Sequence, residues 1–476
     1  MEVKVTKKDI VFGYIAQIFQ YGTGVIVLPV ILHKLSASEI GMNYVMLSVG
    51  ALAQMADFGF SGQIGRNVTY VLSGARKIFR GEIEKVDQGK EIDYKLLKTI
   101  IDASKYLYRR LSLGVLGLLL TIGSLYMYRV TEGFTNVENS LSIWLFFSIS
   151  VYFNLYFLYY NSLLMGAGLV KEQKMASIYS RVAYIIICFA LIYSEFGLMS
   201  VVIANLVSPF IARYYSYRKF YTKEMVENLP LVHTEKKEVL SALSDIWVTA
   251  KKSGTNTIGH YIGTQGSTFI AGAYLPLAAT AQWGLMTQLF GVVQGLASNM
   301  GLSYYPEYCK LRLRSEHEVF IKKSSLSIAL MISILLLGGI AIIILCPWLI
   351  NIIGSETTMP STSLMSSYLI YLIILTNAQL FAMMMSSRNV IPSPVAVLST
   401  SAAQILITIA LLQFTSIGIW ALLLGPAVSG SFYTLWKWVQ LEIKEMKISI
   451  SSFYLTGVKG LWGYLFKTIM IRTKGL

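Results

Sequence analysis

The stretch from residue 253 to residue 306, SGTNTIGHYIGTQGSTFIAGAYLPLAATAQWGLMTQLFGVVQGLASNMGLSYYP, contains no Asp, Glu, Lys or Arg. It is long enough to cross a bilayer twice, because one helical crossing needs ~20 residues. It is also rich in Thr, Asn, Gln, Gly and Tyr, which helices facing only lipid do not need. Polar groups at membrane depth usually face the interior of a helix bundle or a water-filled space. The stretch therefore predicts two membrane helices that line a wet cavity.

The composition of the whole chain indicates a polytopic, all-α membrane protein. Of its 476 residues, 55% are hydrophobic and 14% are charged, whereas soluble domains average about 25% charged residues. The first apolar run is too long for the core of a signal peptide, so we expect it to remain as the first span. Hydropathy predicts twelve membrane helices, at about residues 10–32, 41–60, 111–128, 141–165, 175–194, 196–212, 253–275, 281–304, 324–346, 365–387, 393–414 and 416–436.

The basic residues orient these twelve helices. If the N-terminus lies in the cytoplasm, all of the 40 Lys and Arg except Lys34 and Arg129 fall on the cytoplasmic side. This satisfies the positive-inside rule and predicts that both termini are cytoplasmic. The net charge of +15 then reflects topology and contact with anionic lipids of the inner leaflet. Membrane lipids are expected partners, and nucleic acid is not.

The chain is predicted to consist of two pseudo-symmetric lobes of six helices each. Both halves begin with a Gly-rich polar helix and a short outer loop, and LSASEIGM at residues 35–42 is similar to LAATAQWGL at 277–285. Two parallel halves can open the cleft between them alternately to each face of the membrane. The predicted boundaries are 1–222 for the first lobe, 223–252 for a cytoplasmic linker, 253–440 for the second lobe and 441–476 for a cytoplasmic amphipathic tail. Two lysines inside the tail disfavour a thirteenth crossing.

Two titratable residues within predicted spans are candidates for ion coupling. Asp57 is the only one of the 25 acidic residues placed inside a span, where a carboxylate costs ~3 kcal/mol at the centre. It either senses a proton or ion, or it is a structural group that caps a helix end or pairs with Arg66. His260 is the only histidine deep in a span, and its unperturbed pKa of ~6.5 suits proton relay. A hydrogen-bonded structural histidine is the alternative.

Three cations are candidate ligands for an anionic substrate: Arg66, Arg181 and Lys251. Arg181 lies well inside the fifth predicted span, and Lys251 precedes the polar seventh span. Arginine can bind phosphate oxygens through two parallel hydrogen bonds. The alternative is that these side chains extend to lipid phosphates at the helix ends.

Polar stripes on the first, seventh and eighth spans provide the remaining candidate cavity residues. Amides and hydroxyls hydrogen-bond to sugar hydroxyls, and aromatic faces stack on sugar rings. Helix–helix hydrogen bonds and interfacial aromatic belts are the alternative explanation. The residues chosen from these stripes are Gln17, Tyr21, Tyr261, Gln288 and Gln294.

The sequence contains no motif that indicates an enzyme. There is no phosphate-binding loop, no H-E-x-x-H and no G-x-S-x-G. The three cysteines lie far apart and suggest neither a disulfide framework nor a metal site. We therefore predict no catalytic residues, no metal and no cofactor, and a driving force that comes from an ion or substrate gradient.

Several segments near the N-terminus resemble a known transporter family. The run MADFGFSGQIGR at residues 55–66 resembles the end of the second span in Wzx-type flippases of O-antigen and polysaccharide repeat units. These proteins form the polysaccharide-transporter branch of the MATE/MOP superfamily. KDIVFGY at 8–14, LPVIL at 28–32 and NVTYVLSGA at 67–75 also resemble that family. The likeness covers roughly the first 75 residues, and the rest agrees in helix count and loop sides.

This resemblance implies a MATE/MOP-like fold and a flippase in the bacterial inner membrane. It implies that the substrate is an undecaprenyl-diphosphate-linked oligosaccharide, that a cationic hydrophilic cavity lies between the lobes, and that Asp57 and Arg66 stand in the matching segment. Polysaccharide polymerase and chain-length regulator proteins are possible partners. Two alternatives remain. A MATE-like ion-coupled drug or cation exporter would need buried acids, and a polysaccharide polymerase or ligase would need a large outer loop.

Overall fold

The computed structural model describes residues 22–24, 26–77, 92–388 and 393–473, and its regular structure within these ranges is helical. The chain divides into two compact units. The N-terminal unit comprises Met1–Gln265 with Pro276–Ala278, and the C-terminal unit comprises Gly266–Leu275 with Ala279–Leu476. Gln17 and Tyr21, which were predicted to face a cavity, lie outside the described residues.

The helices are numbered in chain order, and most predicted spans correspond to one helix or to two consecutive helices. Helix α11 contributes residues to both units, and α12 begins within the short segment assigned to the N-terminal unit. The first ten helices are α1 (Gly22–Lys34), α2 (Ala37–Gln54), α3 (Phe60–Leu72), α4 (Tyr94–Leu118), α5 (Ser124–Val130), α6 (Ser140–Tyr156), α7 (Leu158–Gly166), α8 (Val170–Tyr193), α9 (Met199–Phe220) and α10 (Lys223–Asn228). The next eight are α11 (Lys236–Tyr274), α12 (Leu277–Leu313), α13 (His317–Ile353), α14 (Thr362–Ser386), α15 (Pro394–Phe414), α16 (Ala421–Ser431), α17 (Lys437–Glu445) and α18 (Ile450–Thr473).

Six helical segments within the described ranges are long and apolar enough to cross a membrane. They correspond to the third, fourth and fifth predicted spans of each half, so the apolar helices recur in the same order. Shorter apolar helices occupy Gly22–Lys34 and Gly418–Ser431. Helices α2, α9, α11 and α12 carry more polar side chains and do not meet the same criterion. The six segments are Tyr94–Val130, Ser140–Gly166, Val170–Tyr193, His317–Ile353, Thr362–Ser386 and Pro394–Phe414.

The second predicted span, 41–60, was expected to be one continuous helix, and this expectation was wrong. Helix α2 ends at Gln54, a 3-10 turn covers Met55–Asp57, and α3 begins at Phe60. Phe58 and Gly59 between them have φ angles of 46° and 78°, which lie in the left-handed region that interrupts a helix. Asp57 therefore lies at a helix break and not within a continuous helix.

Proline occurs inside the last membrane helix of each half, with a similar consequence in both. Proline lacks an N–H, so the carbonyl four residues earlier loses its helical donor. For Pro209 that carbonyl belongs to Asn205, which accepts a hydrogen bond from Asn154 Nδ2 at 3.4 Å. For Pro426 it belongs to Leu422, which accepts one from Ser267 Oγ at 3.4 Å. Each freed carbonyl is thus satisfied by a polar side chain of another helix in the same unit.

A cluster of four charges holds together three helices of the C-terminal unit. Glu442 on α17 is fully buried and forms ion pairs with Arg312 on α12 and Arg388 at the end of α14, the latter at 3.2 Å. Glu445 lies 2.7 Å from Arg312. The guanidinium of Arg312 also lies 3.8 Å from the ring centroid of Phe320. Arg388 is therefore an ion-pair residue within this unit.

The tail predicted to be amphipathic contains helix α18, which packs against α13 and α14 within the C-terminal unit. Phe453 is fully buried, with its ring centroid 5.4 Å from that of Phe381. Tyr454 donates a hydrogen bond to Asn377 at 3.1 Å. A Cβ at Gly457 would lie 3.2 Å from Cβ of Ala329 on α13, so glycine allows the two helices to approach closely.

Candidate functional site

A cavity of about 440 Å³ opens within the N-terminal unit, and we take it as the candidate functional site. Its volume is within the range of small-molecule sites, ~300–1,000 Å³. Helices α2, α6, α7, α8 and α9 form its walls. The polar side chains among the lining residues are Gln54, Ser150, Asn154, Tyr160, Asn161, Ser177, Ser180, Arg181, Tyr184, Asn205, Ser208, Arg213 and Ser216.

Helix α8 presents one polar face to this cavity. Ser177, Ser180, Arg181 and Tyr184 line it, and their spacing of three, four and seven residues places them on the same side of a helix. The rest of the helix is apolar enough to count among the six candidate spans. A single polar stripe on an apolar helix is what a membrane helix needs to face lipid on one side and a wet space on the other.

Arg181 is a cation deep within a candidate span. It lies about three turns into α8, ~16 Å along the axis from Val170 at a rise of ~1.5 Å per residue. Its side chain is only partly buried and lines the cavity. Among the described residues, no carboxylate forms an ion pair with it. Placing a charge at membrane depth is costly, so an unpaired Arg181 in a polar cavity indicates a site that accepts negative charge.

Helix α9 supplies a second polar stripe, which ends in a second arginine. Asn205, Ser208, Arg213 and Ser216 line the cavity from this helix. The guanidinium carbon of Arg213 lies 4.4 Å from the ring centroid of Phe157 and 5.3 Å from that of Tyr160. Such cation–π contacts hold the guanidinium in place without neutralising its charge.

Helices α6 and α7 form the wall that carries two asparagines. Asn154 and Asn161 are seven residues apart, and both line the cavity. The helix is interrupted between them at Phe157. Asn154 donates from Nδ2 to the carbonyl of Ser150 at 2.9 Å. The side chain of Asn161 is exposed to the cavity, so its amide can both donate hydrogen bonds to a ligand and accept them.

The residues that line the cavity give it a positive character. Within the described part of the chain, they include Arg181 and Arg213 but no Asp, Glu, Lys or His. The low-dielectric surroundings of a membrane helix bundle strengthen the attraction of these two charges for an anion. With several amides and serine hydroxyls nearby, the cavity can bind a polar, negatively charged molecule, and its described lining residues include no carboxylate that would attract a cation.

Asp57, a predicted coupling-ion candidate, has the contacts of a helix cap. Its carboxylate accepts hydrogen bonds from the Ser61 backbone N–H at 3.2 Å and the Ser61 hydroxyl at 2.8 Å. The hydroxyl of the buried Tyr108 also donates to it. Gly59 occupies the N-cap position of α3, and Asp57, two residues earlier, accepts from an N–H in the first turn as a capping side chain does. This geometry favours the structural alternative that the sequence left open.

Arg66 and Lys251, two predicted substrate ligands, do not line this cavity. Arg66 is exposed on α3 and donates a hydrogen bond to Gln63, whereas Asp57 takes other partners. Lys251 is exposed on α11. Of the three cations chosen from the sequence, the structure therefore places only Arg181 in the cavity.

Three predicted candidates on α11 and α12, which are Tyr261, Gln288 and Gln294, are not among the described residues that line this cavity. Gln294 donates a hydrogen bond to Thr376 on α14 at 3.0 Å, which favours the helix-packing alternative for this residue. Gln288 and Tyr261 are partly buried. The side chain of His260 lies outside the described part of the chain, so its role in proton relay remains a prediction.

A second cavity, of about 470 Å³, lies where α4 and α11 begin. Its charged lining residues are of both signs, with Arg76, Lys95 and Lys237 opposed by Asp93, Glu238 and Asp245. Lys95 and Glu238 form an ion pair at 2.5 Å, and the hydrogen bond from Lys95 lowers the pKa of the Glu238 carboxyl. This balance gives the second cavity no preference for an anion or a cation.

Sequence reasoning missed Arg213, Asn154 and Asn161. Arg213 was assigned to a cytoplasmic loop because the sixth span was predicted to end at 212, whereas α9 continues to Phe220. The two asparagines, seven residues apart within an apolar span, were a signal that could have been used. The contact of Arg213 with Phe157 and Tyr160 could not be predicted from the sequence pattern, because it joins residues of different helices.

The fold of the chain matches that of solved MATE transporters. An inward-facing multidrug resistance MATE transporter of the MOP superfamily aligns over 93% of this chain and 99% of its own, with 14% identity and a TM-score of 0.64. An outward-facing multidrug resistance MATE transporter of the same superfamily aligns over 93% and 99%, with 15% identity and a TM-score of 0.52. A MATE structure in complex with MaL6 aligns over 92% and 95%, with 16% identity and a TM-score of 0.53. No protein-family model and no curated protein matches the chain.

These alignments identify the fold class. The chain is an all-α, multi-pass membrane protein with the fold of MATE transporters, as predicted. At this level of identity the likeness defines the fold, and the substrate has to be argued from the site.

Proposed function

We propose that this protein is an alternating-access transporter that moves an undecaprenyl-diphosphate-linked oligosaccharide from the inner to the outer leaflet of the bacterial inner membrane. The observation that carries the proposal is the cavity of the N-terminal unit, which has two arginines and no acidic residue among the lining residues that the structure describes. Such a cavity suits the anionic headgroup of a lipid-linked glycan. Its amides and hydroxyls suit sugar hydroxyls.

The fold supports the transport part of the proposal. Structures with this fold include an inward-facing and an outward-facing MATE transporter, so the fold accommodates both states that alternating access needs. In our proposal the glycan and diphosphate move through the polar interior while the polyprenyl chain remains in lipid. The predicted positive cytoplasmic face attracts the diphosphate before entry.

The second candidate is an ion-coupled exporter of drugs or cations, favoured by the multidrug resistance transporters among the similar structures. A cation substrate would need buried carboxylates. The described residues of the cavity lining include none, and the carboxylate of Asp57 already accepts hydrogen bonds from Ser61. Drug-susceptibility assays in a host that lacks its own efflux pumps separate the two. Protection against cationic drugs by the wild-type protein would favour the exporter.

Replacement of Arg181 by Gln tests the flippase. The change removes the charge and keeps much of the side-chain volume. Since a hydrogen bond to a charged group contributes ~1.5–3 kcal/mol, we expect surface polysaccharide to fall about tenfold or more at matched protein level. Lipid-linked single units should then accumulate on the inner leaflet.

The matched control is Arg218→Gln on α9. Arg218 is exposed and does not line the cavity, so this variant should make normal amounts of polysaccharide. Normal polysaccharide in the Arg181→Gln strain would contradict the proposal. A polymerase or ligase predicts a different phenotype, namely single units accumulated on the outer leaflet.

A further inference from the structure

Arg213 lies on the cavity wall against two aromatic rings. Its guanidinium carbon lies 4.4 Å from the ring centroid of Phe157 and 5.3 Å from that of Tyr160. A guanidinium that stacks on a ring uses its face, and its N–H donors point outward in its own plane. Among the described residues, no carboxylate forms an ion pair with Arg213. Its donors are therefore available to a ligand in the cavity.

The aromatic support of Arg213 is itself fixed in position. Phe157 lies at the break between α6 and α7, and its ring packs edge-to-face against Phe210, with centroids 5.1 Å apart and an interplanar angle of 83°. Phe153 packs against the same Phe210 ring at 4.9 Å. Phe210 precedes Arg213 on α9 by three residues, so one ring that positions Phe157 belongs to the helix that carries the arginine. Because the side chains are already held in place, less conformational entropy is lost when a ligand binds.

Arg181 adds a second guanidinium to the same cavity from α8. Two like charges in one cavity repel each other, and no acidic residue among the described lining residues offsets them. An anion that contacts both would relieve this repulsion. Both arginines reach the cavity from the N-terminal unit, to which all the described lining residues belong.

We propose that Arg181 and the ring-supported Arg213 form an oxyanion-binding subsite contained within the N-terminal unit. Its ligand is a phosphate or carboxylate group of the transported molecule, because the planar guanidinium donates two parallel hydrogen bonds to either group. In the glycolipid this group is the diphosphate or the carboxylate of an acidic sugar. This inference rests on the proposed function in one respect, namely the identity of the transported molecule that carries the anionic group. Anion binding can be measured without transport.

The test is direct binding to the purified full chain in nanodiscs of zwitterionic lipid. Inorganic diphosphate and glucuronate serve as anionic probes, and glucose serves as the neutral one. Isothermal titration calorimetry should give saturable binding for at least one anion and none for glucose. Binding of diphosphate alone assigns the subsite to phosphate, whereas binding of glucuronate alone assigns it to a sugar carboxylate.

Variants that retain the positive charge make the test specific. Arg213→Lys keeps the charge but loses the planar fork, and Phe157→Leu keeps Arg213 but removes the ring that supports it. Each should weaken binding of the anion about tenfold. The control is Arg218→Lys, since Arg218 lies on the same helix, 5.9 Å from the ring centroid of Tyr214, and does not line the cavity. It should bind like the wild type.

Two results would overturn the subsite: no saturable binding of either anion by the folded wild type, or equal weakening by Arg218→Lys and Arg213→Lys. Circular dichroism confirms that each variant is folded, and Arg213→Lys keeps the test decisive if Phe157→Leu does not fold. Complementation of a flippase-null strain separates this inference from the proposed function. Anion binding with no restored polysaccharide contradicts the flippase alone, and restored polysaccharide with no anion binding contradicts the subsite alone.

Discussion

Asp57 is the residue for which the sequence and the structure give the most different interpretations. From the sequence it is a rare carboxylate within a membrane span. In the structure its oxygens are occupied by the N–H and hydroxyl of Ser61 and by the hydroxyl of Tyr108. A carboxylate whose oxygens accept several hydrogen bonds within the protein contributes to the structure of the fold. This is the arrangement of a cap at the start of α3.

Replacement of Asp57 by Ala and by Asn separates the cap from a coupling-ion site. Asp57→Ala removes the acceptor, and we expect it to lower stability by about 1 kcal/mol, as is typical of a lost N-cap. Asp57→Asn keeps an acceptor but cannot titrate, so it should retain both stability and polysaccharide export. Thermal unfolding of the purified protein and surface polysaccharide are the two measurements.

One outcome would restore the coupling-ion interpretation of Asp57. If Asp57→Asn unfolds at the wild-type temperature but exports no polysaccharide, the ability of the carboxyl to bind a proton or ion is what matters. Tyr108→Phe removes only one hydrogen-bond donor and keeps the ring. This variant should export polysaccharide normally.

At the scale of helices, α3 and α7 pack through small residues. A Cβ at Gly65 would lie 3.2 Å from the carbonyl oxygen of Ser162, and one at Gly166 would lie 2.6 Å from Cβ of Val68. Thr69 Oγ1 donates to the carbonyl of Gly166 at 2.8 Å across the same contact. Small residues allow membrane helices to approach closely enough for such contacts. This crossing helps to hold α3 beside the helix pair that forms one wall of the cavity.

Two glycines provide a matched pair of variants for this crossing. Gly166→Ala places a methyl group where backbone and Val68 already lie, and we expect a loss of about 1–3 kcal/mol, the usual cost of overpacking. Gly62→Ala on α3 places the same group where no other atom lies within 4 Å. It should be neutral or stabilising because alanine favours helix. Chemical unfolding in detergent measures both, and an equal effect of the two variants would contradict the proposed crossing.

At the scale of the whole molecule, the charge distribution predicts how the chain is oriented in the membrane. The two basic residues predicted to lie outside, Lys34 and Arg129, stand at the ends of α1 and α5, where connections between helices would meet the outer surface. The predicted cytoplasmic position of both termini follows from the remaining Lys and Arg.

Reporter fusions test this orientation. A fluorescent protein that folds only in the cytoplasm should be active when fused to either terminus, and alkaline phosphatase, which needs the periplasm, should be inactive at both. Alkaline phosphatase inserted after Glu132, in the connection between α5 and α6, should be active. The opposite pattern at the termini would reverse the proposed direction of transport.

The sequence alone determined the class of the molecule, because each property involved is local or additive. Hydropathy depends on the composition of ~20 consecutive residues, and orientation depends on a count of basic residues near the spans. Both can be obtained without knowing which helices touch. The polar character of α11 and α12 is local in the same sense, and Arg181 was found because it interrupts an apolar run.

Tertiary structure decided which of these polar residues share a space. Arg213 joins Arg181 only because α8 and α9 wall the same cavity, and its aromatic support comes from the break between α6 and α7. Gln294 and Arg388 acquire partners distant in sequence, on α14 and α17, respectively. Such pairings depend on how helices pack, and helix packing depends on contacts between segments that sequence periodicity does not encode.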